Sequence, residues 1–372
     1  MNTRVLIVGG GMAGSALALA MRRLGVEPDV VERAASWPAH GAGIYLVGNA
    51  LRALRELGLE DEVVEAGAPI RTQTLLDRRG RLLAEIDTRE IWGACGPCVG
   101  LSRTHLQQIL SRGLSTADVR FSTTVVGLET DGPETVVTFS DGDVRAYDLV
   151  VGADGLHSSI RPQLFPDSKP RFCGQVGWRF VAPCPPTIVG WTLFAGTRGV
   201  FLLIPIGNGQ VYGYADAEVS TPFADSPEGR VERLQMRFSH YGSPVPEVLA
   251  QLSSDQVHFA AVEDILQTPW SRGGVLLVGD AAHATSPNMA SGAAMAFEDA
   301  VVLARLVRAE TDMSAVIAEY TRRRSGRVRW VHTQTHQRDR IRRLPSFLRD
   351  RLTQRLAGKV YAANYTPLLQ EL

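Results

Sequence analysis

A glycine-rich segment near the start of the chain has the residue types needed to hold a dinucleotide. Residues 9–14 read Gly-Gly-Gly-Met-Ala-Gly and fit the pattern G-x-G-x-x-G. Gly9 would permit the tight turn, Gly11 would let backbone approach a pyrophosphate, and Gly14 would let a helix pack on a strand. The alternative is a glycine-rich turn in an unrelated α/β protein.

Neighbouring residues favour the dinucleotide interpretation. Met12 and Ala13 open a predicted helix whose free N–H groups would face the phosphates. Glu32 and Arg33 end the next predicted strand, 18 residues after Gly14, where a carboxylate can accept hydrogen bonds from ribose hydroxyls. The loop does not distinguish FAD from NAD.

A second segment, far along the chain, also suits a nucleotide-like ligand. Gly279 and Asp280 follow a hydrophobic run at 275–278, so the Asp280 carboxylate would lie at the carboxyl end of a strand, where ligands of open α/β sheets bind. It could hold the hydroxyls of a ribityl chain. His283, three residues on, is expected to orient backbone or cofactor.

The loop that follows leads into a predicted helix with small residues at its start. Pro287 and Gly292 bracket the loop, and the helix runs from Gly292 through Ala293 to about residue 308. The small residues suit close approach of a flat ring, and the positive helix end would stabilise negative charge on a reduced flavin.

These elements predict a mixed α/β fold. A strand at 3–8, a helix at 12–24 and a strand at 26–31 form a βαβ unit, and period-two patterning from 119 to 151 indicates a β-meander. We expect a Rossmann-like FAD-binding domain (1–171 and 263–372, including C-terminal helices) interleaved with a β-rich substrate domain (172–262).

Taken together, the motifs resemble the para-hydroxybenzoate hydroxylase family of flavoprotein monooxygenases over nearly the whole chain. The family's order is kept: the loop at 9–14, GADGLHSSIR at 152–161, and GDAAH with Pro and Gly at 279–292, followed by Glu-Asp-Ala at 298–300. The resemblance implies FAD as cofactor, NADH or NADPH as a transient reductant, and insertion of one O₂ oxygen into a small aromatic or electron-rich substrate through a flavin hydroperoxide.

The resemblance also implies roles for single residues. Arg103 would lie by the pyrophosphate or ribityl chain, Asp154 would belong to a segment associated with FAD and nicotinamide, and Asp280 would contact the ribityl chain. One departure occurs in the third motif, where Ala290 and Ser291 stand at positions usually taken by glycine and glutamine. An added methyl group narrows the backbone conformations that the loop can adopt.

No catalytic residue is identified from the pattern, although three side chains are weak candidates. Tyr212 and Tyr214 share one face of a predicted strand, where they could bind or deprotonate a phenol or simply pack in the sheet. His40 lies in a loop that the resemblance brings near the flavin.

The predicted substrate pocket combines the two tyrosines with residues from neighbouring elements: Arg179, Phe201, Pro287 and Met289.

Composition narrows the function classes. Thirty-nine basic and 39 acidic residues give zero formal net charge, so no overall field attracts nucleic acid or an anionic membrane. No apolar run is long enough for a membrane span. Four cysteines make no disulfide framework, and Cys95-Gly96-Pro97-Cys98 completes no metal site. We expect a cytoplasmic monomer or homodimer without metal.

Two other functions remain open. The scaffold could serve a halogenase or reductase, although the halogenase signature WxWxIP is absent apart from Ile204-Pro205. It could instead sequester a small molecule.

The role of the arginine-rich tail, from about residue 314 to 356, is open as well. The tail has helical spacing, so we expect a solvated or subunit-facing helix rather than a nucleic-acid patch.

Overall fold

The computed structural model describes residues 3–37, 41–114, 119–265 and 269–372. The strands, in chain order, are β1 (Val5–Val8), β2 (Asp29–Val31), β3 (Gly43–Leu46), β4 (Ala68–Pro69), β5 (Thr72–Asp77), β6 (Leu82–Asp87), β7 (Val99–Ser102), β8 (Val119–Arg120), β9 (Val125–Glu129), β10 (Thr135–Phe139), β11 (Val144–Tyr147), β12 (Leu149–Gly152), β13 (Arg171–Pro183), β14 (Trp191–Ala195), β15 (Val200–Gly207), β16 (Gln210–Glu218), β17 (His258–Asp264), β18 (Ser271–Arg272) and β19 (Val275–Leu277).

The helices are α1 (Met12–Arg23), α2 (Gly48–Glu56), α3 (Glu60–Ala66), α4 (Arg89–Trp92), α5 (Arg103–Arg112), α6 (Arg161–Leu164), α7 (Arg230–Phe238), α8 (Val245–Leu249), α9 (Asp280–His283), α10 (Gly292–Ala309), α11 (Met313–Arg342) and α12 (Ser346–Tyr365).

A parallel sheet of order β18-β19-β12-β1-β2-β8 forms the first layer, with only the β18 edge antiparallel. All four residues of β1 are buried, as expected for a strand covered on both faces. The structure contains the predicted βαβ unit. Its second strand starts later than predicted, because Gly25, at φ +79°, follows the end of α1 and residues 26–28 form the connection to β2.

The predicted meander is smaller than the pattern indicated. Strands β9, β10 and β11 pair antiparallel in a sheet of their own, whereas β8 and β12 join the parallel sheet through β2 and β1. The alternating pattern alone could not assign these strands to two different sheets. The feature that marks β12 as a strand of the parallel sheet is that all of its residues are buried.

A larger mixed sheet forms the second layer in the order β17-β13-β16-β15-β14-β5-β6. Its last two strands come from residues 72–87, so the sheet extends beyond the segment 172–262 that the sequence indicated. One row of side chains crosses five of these strands in register, from Arg179 through Tyr214, Leu202 and Leu193 to Leu75. In-register neighbours point to the same face of a sheet.

The other face of this sheet is an aromatic core. Phe201 packs against Phe180 and, from α7, Phe238, with ring centroids 5.8 and 5.5 Å apart. Sequence analysis placed Phe201 in the substrate pocket, and this is wrong. Strand residues alternate between faces, and the face that carries Tyr214 belongs to Leu202 instead.

Two long helices close the chain, and they are separated by residues 343–345, which end in Pro345. The expectation of a solvated or subunit-facing arginine helix holds for part of α11 only. Arg322 and Arg323 are exposed and pair with Glu319, but Arg324 is 1% exposed. Within the described residues, no helix is both long and apolar enough to cross a membrane.

Candidate active site

A cavity of about 950 Å³ lies where the parallel sheet, the mixed sheet and the C-terminal helices meet. Its size falls within the range of small-molecule and cofactor sites. Most of the cofactor residues predicted from the sequence line this cavity, namely Gly9, Gly11, Met12, Ala13, Glu32, Arg33, Arg103, Asp154, Asp280, Pro287, Gly292 and Ala293. His40 lies outside the described residues.

Two predicted cofactor residues, Gly14 and Gly279, shape the loops without lining the cavity. A Cβ on Gly14 would lie 1.8 Å from the carbonyl oxygen of Gly9, so α1 can approach its loop only with glycine there. Gly279 has φ +56°, and its N–H donates to Asp299.

The first glycine loop has the shape of a dinucleotide cradle. A Cβ built on Gly11, at the N-cap of α1, meets no atom within 4 Å, whereas one on Gly9 would lie 2.7 Å from the carbonyl oxygen of Ala153. The Glu32 carboxylate is held in place by N–H donors from Gly10 and Ala34, at 2.7 and 2.8 Å. Open space at the helix end and a fixed carboxylate at the strand end fit the adenosine diphosphate part of FAD.

The loop is held rigid by a residue that sequence analysis missed. The buried Gln107 amide on α5 donates to the Gly10 carbonyl and to the Ser15 hydroxyl, both at 3.0 Å. No local motif marks Gln107, because its partners lie more than 90 residues earlier in the chain.

The second motif leaves one carboxylate oxygen available. Asp154 Oδ2 accepts the N–H groups of Ser159 and Ile160 at 2.7 and 3.2 Å, while Oδ1 is buried and has no hydrogen-bond partner among the described residues. A buried unpaired acceptor is costly, and a donor on a bound cofactor would satisfy it. Arg161 then links this motif to the third by donating to the Ala281 carbonyl at 3.0 Å.

The third motif directs a carboxylate and a helix end at the cavity. Asp280 is exposed to the cavity at the start of α9, and α10 begins at Gly292, where a Cβ would lie 3.7 Å from Asp280 Oδ1. Carboxylate and helix N-terminus together suit the ribityl chain and the flavin ring. The arrangement fits the cofactor that the sequence implied.

Ala290, the departure noted in the sequence, adopts a left-handed conformation with φ +49° and ψ +32°. The position therefore demands the backbone that glycine adopts at no steric cost. The loop keeps this conformation through the Ala290 N–H, which donates to the Pro287 carbonyl at 2.9 Å, and the Ser291 hydroxyl, which donates to the Met289 carbonyl at 3.0 Å.

A buried ion cluster supports the third motif from behind. Arg324 of α11 contacts Asp299 Oδ1 at 2.7 Å and Glu298 Oε2 at 2.8 Å. Asp299 Oδ2 in turn accepts the Gly279 N–H at 2.9 Å and lies 2.7 Å from His283 Nε2. Burial alone would raise the pKa of Asp299, but the charges of His283 and Arg324 hold it well below its ordinary value. His283 is therefore a positioning residue, and it does not line the cavity.

The predicted substrate residues Arg179, Tyr212, Tyr214, Pro287 and Met289 all line the cavity. The Arg179 guanidinium lies 5.3 Å from the centre of the Tyr214 ring. The Tyr214 hydroxyl is buried, and no residue in the described part of the chain forms a hydrogen bond with it. Burial raises the pKa of Tyr214 well above its ordinary value, so this phenol is neutral and is better suited to binding than to accepting a proton.

Helix α11 adds charged side chains that the sequence did not assign to the site. Arg342 contacts the Asn288 side chain at 2.8 Å and forms an ion pair with Asp216, while Arg338 donates to the Asn288 carbonyl at 2.8 Å. Asp339 accepts from the Gln175 amide at 3.0 Å. These groups give the cavity a cationic wall whose charge is partly balanced.

The C-x-x-C pair has no part in the site. Cys95 and Cys98 are both buried and free, and burial raises the pKa of Cys98 to about 11. A thiol with so high a pKa carries little thiolate and is a weak nucleophile.

The family model described as FAD binding domain matches residues 2–335. The chain belongs to this family. It is 35% identical over 321 residues to the aurachin C monooxygenase/isomerase of Stigmatella aurantiaca, covering 85% of this chain and 83% of that protein. It is 33% identical over 343 residues to the 2-heptyl-3-hydroxy-4(1H)-quinolone synthase of Pseudomonas aeruginosa, covering 89% and 87%.

A solved structure agrees with this membership. Klebsiella pneumoniae HpxO, complexed with FAD and uric acid, superimposes with a TM-score of 0.84 at 27% identity, covering 99% of this chain and 93% of that one. The predicted family, mixed α/β fold class, FAD cofactor and monooxygenase class are confirmed.

We expect the Arg324 cluster to be essential for stability. Replacing Arg324 with Met should lower the free energy of unfolding by about 3–5 kcal/mol, because the buried Asp299 and Glu298 lose the guanidinium that they share. Arg322→Met on the same helix removes only an exposed pair and should cost less than about 1 kcal/mol. Urea unfolding with and without FAD measures both, and Arg324→Lys is the milder variant if Met prevents folding. Equal losses for positions 322 and 324 would contradict the assignment.

The left-handed backbone at Ala290 is strained, and we expect this strain to lower the stability of the protein. Ala290→Gly should raise the free energy of unfolding by up to about 1 kcal/mol, since strain of roughly 1–2 kcal/mol exceeds the entropy cost of about 0.4–1 kcal/mol. Ala318→Gly, at an exposed position inside α11, should instead lower it by about 1 kcal/mol. Thermal unfolding of the FAD-loaded variants would show opposite shifts. A loss at position 290 would mean that the loop is not left-handed in solution.

Proposed function

We propose that this chain is a single-component monooxygenase that takes electrons from NADH or NADPH and inserts one oxygen atom of O₂ into a small aromatic substrate. The observation that carries the proposal is one continuous cavity in which the dinucleotide cradle and the tyrosine face of the mixed sheet meet. Bound FAD would supply the redox and oxygen-activating chemistry at that junction.

The protein's own side chains would bind and orient the substrate. The unpartnered hydroxyl of Tyr214 is suited to donate to a carbonyl or phenolic oxygen, and the nearby Arg179 favours an electron-rich, partly anionic ring. Arg338 and Arg342 extend the positive field along α11, but Asp339 and Asp216 restrain it. A neutral or singly ionised heteroaromatic ring suits this balance better than a dianion.

The names of the relatives support a nitrogen heteroaromatic substrate. One relative is named for a 4(1H)-quinolone, and the solved neighbour holds uric acid. Both are electron-rich rings with carbonyl and N–H groups, which Tyr214 and Arg179 could recognise. We therefore propose 4(1H)-quinolones as the first substrate class to test.

The decisive experiment separates reduction from oxygenation. The FAD-loaded protein is mixed anaerobically with NADH or NADPH and a 4(1H)-quinolone, flavin bleaching is followed, and ¹⁸O₂ is then admitted. Faster bleaching with substrate and a product heavier by one ¹⁸O support the proposal. Tight ligand binding with no oxygenated product would favour sequestration instead.

Removing the Tyr214 hydroxyl should weaken substrate recognition but not the fold. We expect Tyr214→Phe to lower kcat/KM by roughly three- to tenfold, the value of one hydrogen bond. Its stability should be unchanged or higher, because the hydroxyl has no partner in the free protein. Tyr147→Phe loses a hydroxyl that donates to Asp29 at 2.7 Å, outside the cavity, and should leave kcat/KM unchanged. Steady-state kinetics measures both, and equal kcat/KM values for the two variants would rule out contact with Tyr214.

A further inference from the structure

Helix α12 crosses the cavity and is attached at both of its ends. Near its start, Arg349 donates to the backbone carbonyls of Ala195, at 3.2 Å, and Gly196. Near its end, the Tyr361 hydroxyl accepts from the Trp92 indole N–H at 2.9 Å. The two anchors are twelve residues apart along the helix, a rise of about 18 Å, and we call residues 349–361 the spanning segment.

The face of the spanning segment that lines the cavity is apolar but not buried. Leu352, Leu356 and Val360 all line the cavity and are 37%, 39% and 38% exposed. They recur at helical spacing, which normally marks a face that packs against a core. Here all three side chains line the cavity and stay more than a third exposed, so the described protein covers them only in part.

The opposite wall is apolar as well. In the in-register row across the mixed sheet, Arg179 and Tyr214 form the polar end, and Leu202, Leu193 and Leu75 follow on the next three strands. The distance from Tyr214 to Leu75 covers three strand spacings, or about 14 Å. This row is therefore polar at its Arg179–Tyr214 end and apolar along the three strands that follow.

From these two walls we propose that the space between the spanning segment and the Leu202–Leu193–Leu75 row is a tail channel, which takes an unbranched alkyl substituent of the substrate. The inference rests on the proposed function, because the ring must lie at Tyr214 for its substituent to enter the channel. Gln73 and Thr353 also line this cavity, but the leucine and valine side chains of the two walls favour hydrocarbon by burial. The continuity of the channel with the tyrosine face favours a substituent of the substrate over a separate ligand.

The test uses 4(1H)-quinolones with 2-methyl, 2-propyl, 2-pentyl and 2-heptyl chains, titrated into the FAD-loaded protein while the flavin absorbance is followed. We expect Kd to fall by about two- to fourfold for each added CH₂ group. A Kd that does not depend on chain length, or no flavin response to any member, would overturn the proposal.

Two glutamine variants separate the channel from the fold. Leu356→Gln places an amide on the channel wall and should weaken heptyl binding on the order of tenfold with little effect on the methyl compound. Leu348→Gln is the matched control, because Leu348 is on the same helix and 40% exposed but does not line the cavity. It should keep the full dependence on chain length. Equal weakening of methyl and heptyl binding by Leu356→Gln would contradict the channel.

The outcomes also separate this inference from the proposed function. Binding that depends on chain length but yields no oxygenated product would support the channel and contradict the monooxygenase reaction on these rings. Oxygenation of all four compounds with a Kd that does not depend on chain length would support the reaction and overturn the channel. If Leu356→Gln changed the oligomeric state without changing any Kd, α12 would be a subunit contact, and the proposal would fail.

Discussion

The ion cluster around Arg324 is the interaction on which the cofactor site depends. Two adjacent carboxylates at the centre of α10, Glu298 and Asp299, are fully buried. Arg324 pairs with both, and Arg327 also pairs with Glu298, as buried charges require. Asp299 also binds the Gly279 N–H and His283. The position of α10 and the conformation of the loop before it are therefore set together, and that loop presents Asp280 to the cavity.

The same helix carries this constraint to the substrate side. Arg324 and Arg338 are fourteen residues apart on α11, a rise of about 21 Å, and Arg338 and Arg342 reach the Asn288 region of the cavity wall. A single helix thus holds the cluster behind the cofactor loop with Arg324, near its middle, and lines the cavity near its C-terminal end. A change in either contact should be felt at both, which fits a reaction that needs ring and cofactor in fixed register.

Sequence analysis identified the motifs and elements that depend on a few neighbouring residues. It missed the residues whose roles depend on contacts with distant parts of the chain. The glycine loop, the strand before Asp280 and α10 were all predictable, because spacing and backbone freedom are properties of a few neighbouring residues. Phe201 was misplaced because strand alternation fixes two faces without saying which one meets the cavity. Gln107 and Arg324 were not assigned to the site, since each acts on partners that are remote in the chain. Ala290 was noticed, and the structure explains it as a left-handed position.

The family match ends at residue 335, and this boundary divides the cavity. The glycine loop, Asp154 and Asp280 lie inside the matched range, as does the tyrosine face, so the means to hold FAD and to meet a polar ring belong to the shared part. Arg338, Arg342 and all of α12 lie beyond it. Whatever passes between α12 and the mixed sheet is therefore contacted by a part of the chain that the family model does not describe. The cofactor site thus depends on loops inside the matched range, whereas the proposed tail channel combines the Leu202–Leu193–Leu75 row inside that range with one helix beyond it.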